Sequence, residues 1–159
     1  MPRETLDKRI KQLIEEILLL DSMVENAIRD AVDGARTPAA KAEALMRIVV
    51  TEAARRLEPT WRTTEGAQGY VCAQVNPSFA GERAAMEDMA RRLDAWAPNI
   101  AVKLPATAAG LDVMDRLVAD GITTTITLGF TVPQVLATGR RFQEASRRRR
   151  PGTRNGRAC

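Results

Sequence analysis

Three short stretches with alternating apolar and polar residues constrain the fold of this chain more than any other feature of its sequence. Each has the period of two that is typical of a β-strand, and each is followed by a longer stretch with helical periodicity. The three stretches are Tyr70–Asn76, Ile100–Leu104 and Ile122–Leu128. Each stretch has a polar residue near its C-terminal end, namely Gln74, Lys103 or Thr127. The number of residues between consecutive members of this set is enough for one crossover helix. The pattern predicts an α/β fold of βα units with a parallel sheet.

The two faces of these predicted strands differ in composition. One face is apolar and consists of Val71, Ala73, Val75, Ile100, Val102, Leu104, Ile122, Ile126 and Leu128. The other is polar or small and consists of Cys72, Gln74, Asn76, Ala101, Lys103, Thr123, Thr125, Thr127 and Gly129. An open sheet covered by helices on both sides would need two apolar faces. A barrel with helices outside and a site inside has the observed asymmetry, so we expect a partial (β/α)8 barrel. The alternative is a sheet with one solvated face.

The first third of the chain is predicted to be helical. Apolar residues recur at spacings of three and four over residues 5–20, about 22–33 and about 38–57. Thr37 is the predicted N-cap of the third of these helices, whose buried face is predicted to include Val49 and Leu57. Residues 58–69 are rich in Pro, Thr and Gly and predict a loop. The later helices are predicted from Ser78 to about Ala97, from the N-cap Thr107 to Gly121, and from about Pro133 to Arg147.

The chain contains no histidine, which excludes triads that need a histidine and metal sites built on histidine ligands. Catalysis would have to use lysine, carboxylates, hydroxyl groups or bound water, and we expect neither a metal nor a cofactor. The two cysteines, Cys72 and Cys159, do not make a disulfide framework. No apolar run approaches the ~20 residues of a membrane helix, and the N-terminus has no signal-peptide core. We therefore expect a cytoplasmic protein without a membrane partner.

Basic residues are concentrated at the C-terminal end of the sequence. The net charge is +4, but the excess comes from Arg147, Arg148, Arg149, Arg150, Arg154 and Arg157. Residues 147–159 have no apolar periodicity and predict a disordered tail, which follows a single domain of residues 1–146. A basic tail can bind nucleic-acid phosphates. This tail lacks aromatic residues for base stacking and the rest of the chain is slightly acidic, which argues against a nucleic-acid partner.

Lys103 is the strongest candidate for a chemical role. It lies in an apolar strand of a chain that prefers arginine, whose lysines are Lys8, Lys11, Lys41 and Lys103. A guanidinium group, unlike an amine, does not form an imine with a carbonyl compound. Apolar surroundings also favour the neutral, nucleophilic form of an amine. We interpret Lys103 as a Schiff-base lysine; the alternative is an edge strand with the ammonium group in water.

Three motifs follow one another in the second half of the sequence. They are Val71-Cys72-Ala73-Gln74-Val75-Asn76-Pro77; then Ile100-Ala101-Val102-Lys103-Leu104-Pro105-Ala106-Thr107 with Ala109-Gly110-Leu111; and then Asp120-Gly121-Ile122 through Thr127-Leu128-Gly129-Phe130-Thr131 with Pro133-Gln134. In this order and at these separations they resemble the transaldolase family of class I Schiff-base aldolases. The resemblance runs from about residue 50 to about residue 143. Its most specific part is the strand with the lysine, the Pro-Ala-Thr turn and the Gly-Leu helix start.

The resemblance implies a (β/α)8 enzyme of the pentose phosphate pathway, which moves a dihydroxyacetone unit from a ketose phosphate to an aldose phosphate. Lys103 falls on the lysine that forms the imine, and Thr127 falls on the threonine that helps to hold the catalytic water. Gln74 falls on the glutamate that relays protons through that water. Thr125 falls on a position, usually Asn, that contacts substrate hydroxyls, and Asn76 is a second candidate for substrate binding. The implied partners are sugar phosphates.

Two departures from the family keep other functions open. The Gln74 amide cannot exchange a proton as a carboxylate does and can only position a water. A TIM barrel takes about 250 residues, so we expect an incomplete barrel that is truncated at its C-terminus. A fructose-6-phosphate aldolase-like activity is one alternative. Another is a catalytically inactive fragment that depends on self-association through open sheet edges or on a missing complement.

Overall fold

The computed structural model describes residues 25–26, 28–30 and 33–149. The chain divides into two compact units, Met1–Val49 and Val50–Cys159, and each is considered by itself. In the first unit the described backbone between residues 25 and 34 is helical, and Thr37 Oγ1 accepts a hydrogen bond from Ala40 N at 3.1 Å. This bond confirms Thr37 as an N-cap. The predicted helix over residues 5–20 and part of the one over 22–33 lie outside the described residues.

Strands and helices alternate from residue 38 onwards. The elements are α1 (Pro38–Thr63), β1 (Val71–Gln74), a 3-10 turn (Pro77–Phe79), α2 (Arg83–Asp94), β2 (Ile100–Pro105), α3 (Ala108–Ala119), β3 (Thr124–Thr127) and α4 (Val132–Arg147). The strands form one parallel sheet in the order β1-β2-β3, which confirms the predicted βα units. Because each strand is followed by a helix that returns to the next parallel strand, the arrangement is that of a partial (β/α)8 barrel.

One face of the sheet is buried under the helices, as the alternation predicts. The strand residues on this face are at most 1% exposed at Ala73 in β1, at Val75 just after it, and at Val102 and Leu104 in β2. The helices contribute Met86, Met89, Ala90, Leu93, Val113, Met114, Leu117 and Val118 to the same core. Thr124 is the one polar residue of the three strands on this face, and it is fully buried. The opposite face carries Gln74, Lys103 and Thr125, each of which is half-buried.

The turn after β2 is shaped by two residues. Thr107 Oγ1 accepts a hydrogen bond from Gly110 N at 3.0 Å, which confirms Thr107 as the N-cap of α3. Gly110 approaches the strand so closely that a Cβ at this position would overlap the Pro105 carbonyl oxygen. The start of α3 therefore packs directly over the end of β2, and this packing requires glycine.

The structure corrects several predicted boundaries. Helix α1 continues to Thr63, although residues 58–69 were expected to form a loop. Pro59 removes only one backbone hydrogen bond, and the turn beyond it is held by an ion pair of 2.6 Å between Arg62 and Glu58. The predicted helix from Ser78 is instead the short 3-10 turn followed by α2, which begins at Arg83.

The buried face of α1 also differs from the prediction. Val49 and Leu57 are 63% and 41% exposed, whereas Val50 and Ala54 are buried. Apolar residues surround most of this helix, so periodicity alone did not define which of them face the core. No helix in the described stretches of the chain is both long enough and apolar enough to cross a bilayer.

Candidate functional site

Three of the predicted site residues form one row across the sheet. Gln74 of β1 and Thr125 of β3 are the register partners of Lys103, which lies between them in β2. Register partners in a parallel sheet project from the same face, so the amide, the amine and the hydroxyl are lateral neighbours. Thr127 is the register partner of Pro105 and lies on the same face, one step closer to the carboxyl ends of the strands.

Lys103 lies within β2 between two buried residues, and its peptide is hydrogen-bonded to the chain beside it. The adjacent residues Val102 and Leu104 are fully buried on the helix-covered face, whereas Lys103 itself is half-buried on the other face. Its backbone carbonyl accepts a hydrogen bond from Val75 N at 3.2 Å, and its peptide is therefore fixed to β1. The structure places the lysine on a strand rather than on a loop.

The side-chain amide of Gln74 is hydrogen-bonded to the backbone. Its Nε2 donates to the carbonyl oxygens of Val75 and Lys103, at 3.1 Å each. Both amide hydrogens are used in this way, and Oε1 remains as the acceptor on this face of the sheet. An amide can make these two donations, but a carboxylate cannot. Gln74 can therefore orient a water through Oε1 while it holds the end of β1 against β2.

Asn76 has a local structural role. Its Oδ1 accepts a hydrogen bond from Ser78 N at 3.0 Å and caps the 3-10 turn, and its backbone N–H donates to Met89 Sδ at 3.2 Å. The side-chain oxygen is thus turned towards its own loop and not towards Lys103. A contact between Asn76 and a substrate stays a prediction.

The two threonines lie on β3, which pairs only with β2 in the described part of the chain. Thr127 O accepts a hydrogen bond from Ala106 N at 2.8 Å, so the Thr127 peptide is tied to the residue that follows β2. Thr125 and Thr127 are both half-buried and lie on the face that carries Lys103. The site as predicted thus offers one amine, two amides and two hydroxyl groups, and no carboxylate.

Carboxyl groups with shifted pKa values lie on the helices. A hydrogen bond from Arg141 lowers the pKa of Asp112 on α3. Burial raises the pKa of Glu87 on α2, but hydrogen bonds from Arg91 and Arg116 outweigh it and the net shift is downwards. Both groups act in ion pairs between helices. Among the described residues, no cluster of three or more His, Cys, Asp or Glu side chains could hold a metal ion.

A pocket of about 410 Å³ lies at the opposite end of the sheet. Its lining includes Trp61, Tyr70, Ile100, Gly121 and Thr123, which precede or begin the strands. None of the predicted site residues lines it. Parallel α/β sheets carry their active sites at the carboxyl ends of the strands, so this pocket is separate from the candidate site.

Two residues near the candidate site have contacts that local sequence reasoning missed. Thr107 was predicted only as an N-cap, but its hydroxyl also donates to Ala80 O at 2.8 Å. Gln134 was noted only as part of a motif, but its amide bonds the loop before α4 and the carbonyl of Ala106. The spacing Thr131-x-x-Gln134 is a capping-box pattern, and this signal was present in the sequence.

Comparison with known proteins identifies relatives of the chain. The family model described as Transaldolase/Fructose-6-phosphate aldolase matches residues 10–143. A transaldolase of Mycolicibacterium paratuberculosis is 32% identical over 106 residues, which cover 62% of this chain and 28% of that protein. A transaldolase of Thiobacillus denitrificans is 35% identical over 99 residues, covering 60% and 27% of the two chains. A probable transaldolase of Dehalococcoides mccartyi is 41% identical over 69 residues, covering 43% and 31%. The matched region thus spans less than a third of each of these relatives.

Proposed function

Because the chain belongs to the transaldolase/fructose-6-phosphate aldolase family, we propose that it takes part in the transfer of a dihydroxyacetone unit between sugar phosphates through a Schiff base on Lys103. The observation that carries the proposal is the row of Gln74, Lys103 and Thr125 on one face of the sheet. This row presents an amine between hydrogen-bonding side chains, with its strand held on both sides.

In the proposed reaction the neutral Lys103 amine attacks the ketone carbon of a ketose phosphate. The carbinolamine that forms takes up one proton from solvent and loses water to give a protonated imine, which can accept the electron pair of the adjacent carbon–carbon bond when that bond breaks. The hydroxyl proton of the leaving portion passes to a water, and an aldose phosphate departs. The three-carbon enamine that remains attacks the aldehyde carbon of a second aldose phosphate, whose oxygen takes the proton back from the water. Hydrolysis of the new protonated imine restores the neutral amine and returns one proton to solvent.

The side chains beside Lys103 would position the water and the substrate and would not exchange protons themselves. We assign the orientation of the proton-carrying water to Thr127 and to Gln74 Oε1, because neither side chain is an acid or a base at neutral pH. We assign contact with substrate hydroxyls to Thr125. The acceptor sugar is left open, and a fructose-6-phosphate aldolase-like reaction would use the same imine with a free carbonyl compound as the partner.

The proposal is tested by trapping the imine. The protein is incubated with fructose 6-phosphate and borohydride, and the intact mass and the modified peptide are determined. We expect a reduced adduct on Lys103, loss of this adduct in Lys103→Met, and no change in Lys41→Met, which removes another lysine of the chain. Folded protein that gains no adduct, or an adduct that persists in Lys103→Met, would contradict the assignment.

A second candidate function is supported by exposed apolar side chains. Leu128, Phe130, Val132, Val135 and Leu136 are each more than half exposed, and we name them the 128–136 cluster. They lie beside β3, whose outer edge is unpaired in the described part of the chain. A barrel fragment that is inactive alone and completes itself with a second copy or a missing complement would cover such a surface. A chain that sediments as a monomer and unfolds cooperatively in calorimetry would argue against this alternative.

A further inference from the structure

The side-chain amide of Gln134 connects two loops at the carboxyl end of the sheet. Its Oε1 accepts hydrogen bonds from Phe130 N at 3.0 Å, from Thr131 N at 3.1 Å and from Thr131 Oγ1 at 3.1 Å. Its Nε2 donates to Ala106 O at 3.3 Å. The first three bonds cap α4, but the fourth leaves the helix and reaches the residue that follows β2. A helix cap alone does not need this fourth bond.

The Ala106 peptide is bound on both of its sides. Its N–H donates to Thr127 O at 2.8 Å, and its carbonyl accepts from Gln134. The next residue, Thr107, donates to Ala80 O in the loop after β1. The strand that carries Lys103 is thus fastened to the loops after both neighbouring strands, within three to four residues of the lysine. On the β3 side, this bond comes from the side chain of Gln134.

We infer that Gln134 is a positioning residue, which holds the carboxyl ends of β2 and β3 together so that Lys103 and Thr127 keep a fixed separation. The inference rests on the function proposed for Lys103. Strand β3 has four residues, and the bond from Gln134 to Ala106 O lies directly beyond its last pairing with β2, where the chain turns at Leu128 with a positive φ of 64°. Attack by an amine and proton transfer through a held water depend steeply on distance, and loosening of this junction would slow both.

The variant Gln134→Glu distinguishes the role of the amide oxygen as an acceptor from the role of the amide nitrogen as a donor. A carboxylate keeps the acceptor for the three capping bonds, and a negative charge is favourable in the first turn of α4. It cannot donate to Ala106 O and repels that carbonyl. Thr138→Val is the matched control, because Thr138 Oγ1 donates to Gln134 O at 2.8 Å and this bond stays within α4. Gln134→Leu removes both the three capping bonds of the side chain and the bond to Ala106 O, and leaves the bond from the backbone N–H of residue 134 to Thr131 Oγ1.

Two measurements are made on the full chain and on each variant. The first is hydrogen exchange of the Ala106 amide, which needs no substrate. The second is the rate constant for borohydride trapping of Lys103 at saturating fructose 6-phosphate. For Gln134→Glu we expect a melting temperature within a few degrees of the parent, exchange at Ala106 faster by about twofold to tenfold, and trapping slower by about tenfold. Thr138→Val should leave the exchange and the trapping at parental values.

The possible outcomes are distinguishable. Unchanged exchange and trapping in Gln134→Glu would overturn the inference, and so would changes that only follow the loss of overall stability across all three variants. If the parent gives no adduct on Lys103, the proposed function fails, and the exchange at Ala106 alone then decides whether Gln134 holds the two strand ends together. Parental exchange in that case would overturn the inference as well.

Discussion

Gln74 Nε2 donates a hydrogen bond to the backbone carbonyl of Lys103 at 3.1 Å, from the strand beside it. The resemblance to the transaldolase family implies a glutamate at position 74, and the structure gives a physical reason why an amide suits this chain. Two carbonyl oxygens, those of Val75 and Lys103, converge on the end of the side chain and both need a donor. Glutamine at position 74, in place of the glutamate that the resemblance implies, therefore supplies the donor that these two carbonyl oxygens need.

The variant Gln74→Glu should destabilise the protein in a pH-dependent manner. A carboxylate facing two carbonyl oxygens loses two hydrogen bonds, which should lower the free energy of unfolding by about 1–3 kcal/mol at neutral pH. These surroundings favour the protonated acid, so the pKa of the new carboxyl in the folded state should lie above its value in the unfolded state. The protonated acid still donates one hydrogen bond, so the pH-dependent part of the loss should be absent below about pH 4.3 and should grow as the pH rises through the folded pKa. Urea unfolding at several pH values measures it, and a loss that is the same at every pH would contradict this account.

Arg141 should make the protein more sensitive to acid. Its hydrogen bond to Asp112 lowers the pKa of that carboxyl, and it also bonds Asp115 at 2.6 Å. A carboxyl whose folded pKa is depressed contributes stability above its unfolded pKa and loses it as the pH falls through the folded value. Removal of the guanidinium in Arg141→Leu should therefore lower stability at pH 7 and shrink the loss of stability between pH 5 and pH 2.5.

Arg140→Leu is the matched control for this experiment. Arg140 precedes Arg141 and is exposed, and no ion pair is recorded for it among the described residues. Urea unfolding across the same pH range compares the two variants. Equal acid sensitivity in both would show that the pair of Arg141 with Asp112 carries no pH-dependent stability. Other pairs set the remaining acid sensitivity, since hydrogen bonds from Arg55 and Arg56 lower the pKa of Glu52 to about 2.

Leu128 should be replaceable by glycine with a gain in stability. Its φ is 64°, in the left-handed region that branched and bulky side chains avoid, and its side chain is 56% exposed. Leu128→Gly should relieve this strain and raise the free energy of unfolding by about 1 kcal/mol. Ala137→Gly, within α4, should instead lower it by about 1 kcal/mol. If thermal unfolding shows equal losses for both variants, the backbone at Leu128 is not strained.

The 128–136 cluster should control self-association if the second candidate function holds. Phe130 and Val132 are 83% and 71% exposed, so the double variant Phe130→Ser, Val132→Thr should change monomer stability by less than about 0.5 kcal/mol. Sedimentation velocity over a range of concentrations should show weaker association for this variant than for the parent. Gln143→Ser, an exposed polar change on the same helix, should behave like the parent. If the double variant associates as strongly as the parent, the 128–136 cluster does not form the contact between copies.

Local patterns in the sequence predicted the features that depend on neighbouring residues. The period of two predicted which strand residues share a face, and the placement of Gln74, Lys103 and Thr125 on one face follows from it. The N-caps Thr37 and Thr107 were predictable because a capping hydroxyl bonds only three residues ahead. The roles of these site residues came from the resemblance and stay predictions.

Features that depend on distant residues were not predictable in this way. Asn99 is fully buried and donates to Ala54 O and to Gly69 O, and no periodicity relates these three positions. Helix α1 continues past Pro59, and Trp61 beyond it packs edge-to-face against Tyr70, with ring centroids 6.5 Å apart. The assignments of residues 1–146 to one domain and of 147–159 to a basic tail also stay predictions. In the described part, α4 ends at Arg147, and residues 150–159 lie outside it.

The close approach of Gly110 to the Pro105 carbonyl limits how this site can be engineered. Any side chain at position 110 would push α3 away from the end of β2, and the displacement would reach Lys103 through the two residues that separate it from the turn. Under the proposed function, libraries that aim to change substrate choice should therefore randomise a position on the open face that is assigned to substrate contact, such as 125. The turn itself should be left unmutated, since a single methyl group there would alter the backbone on which every selected variant depends.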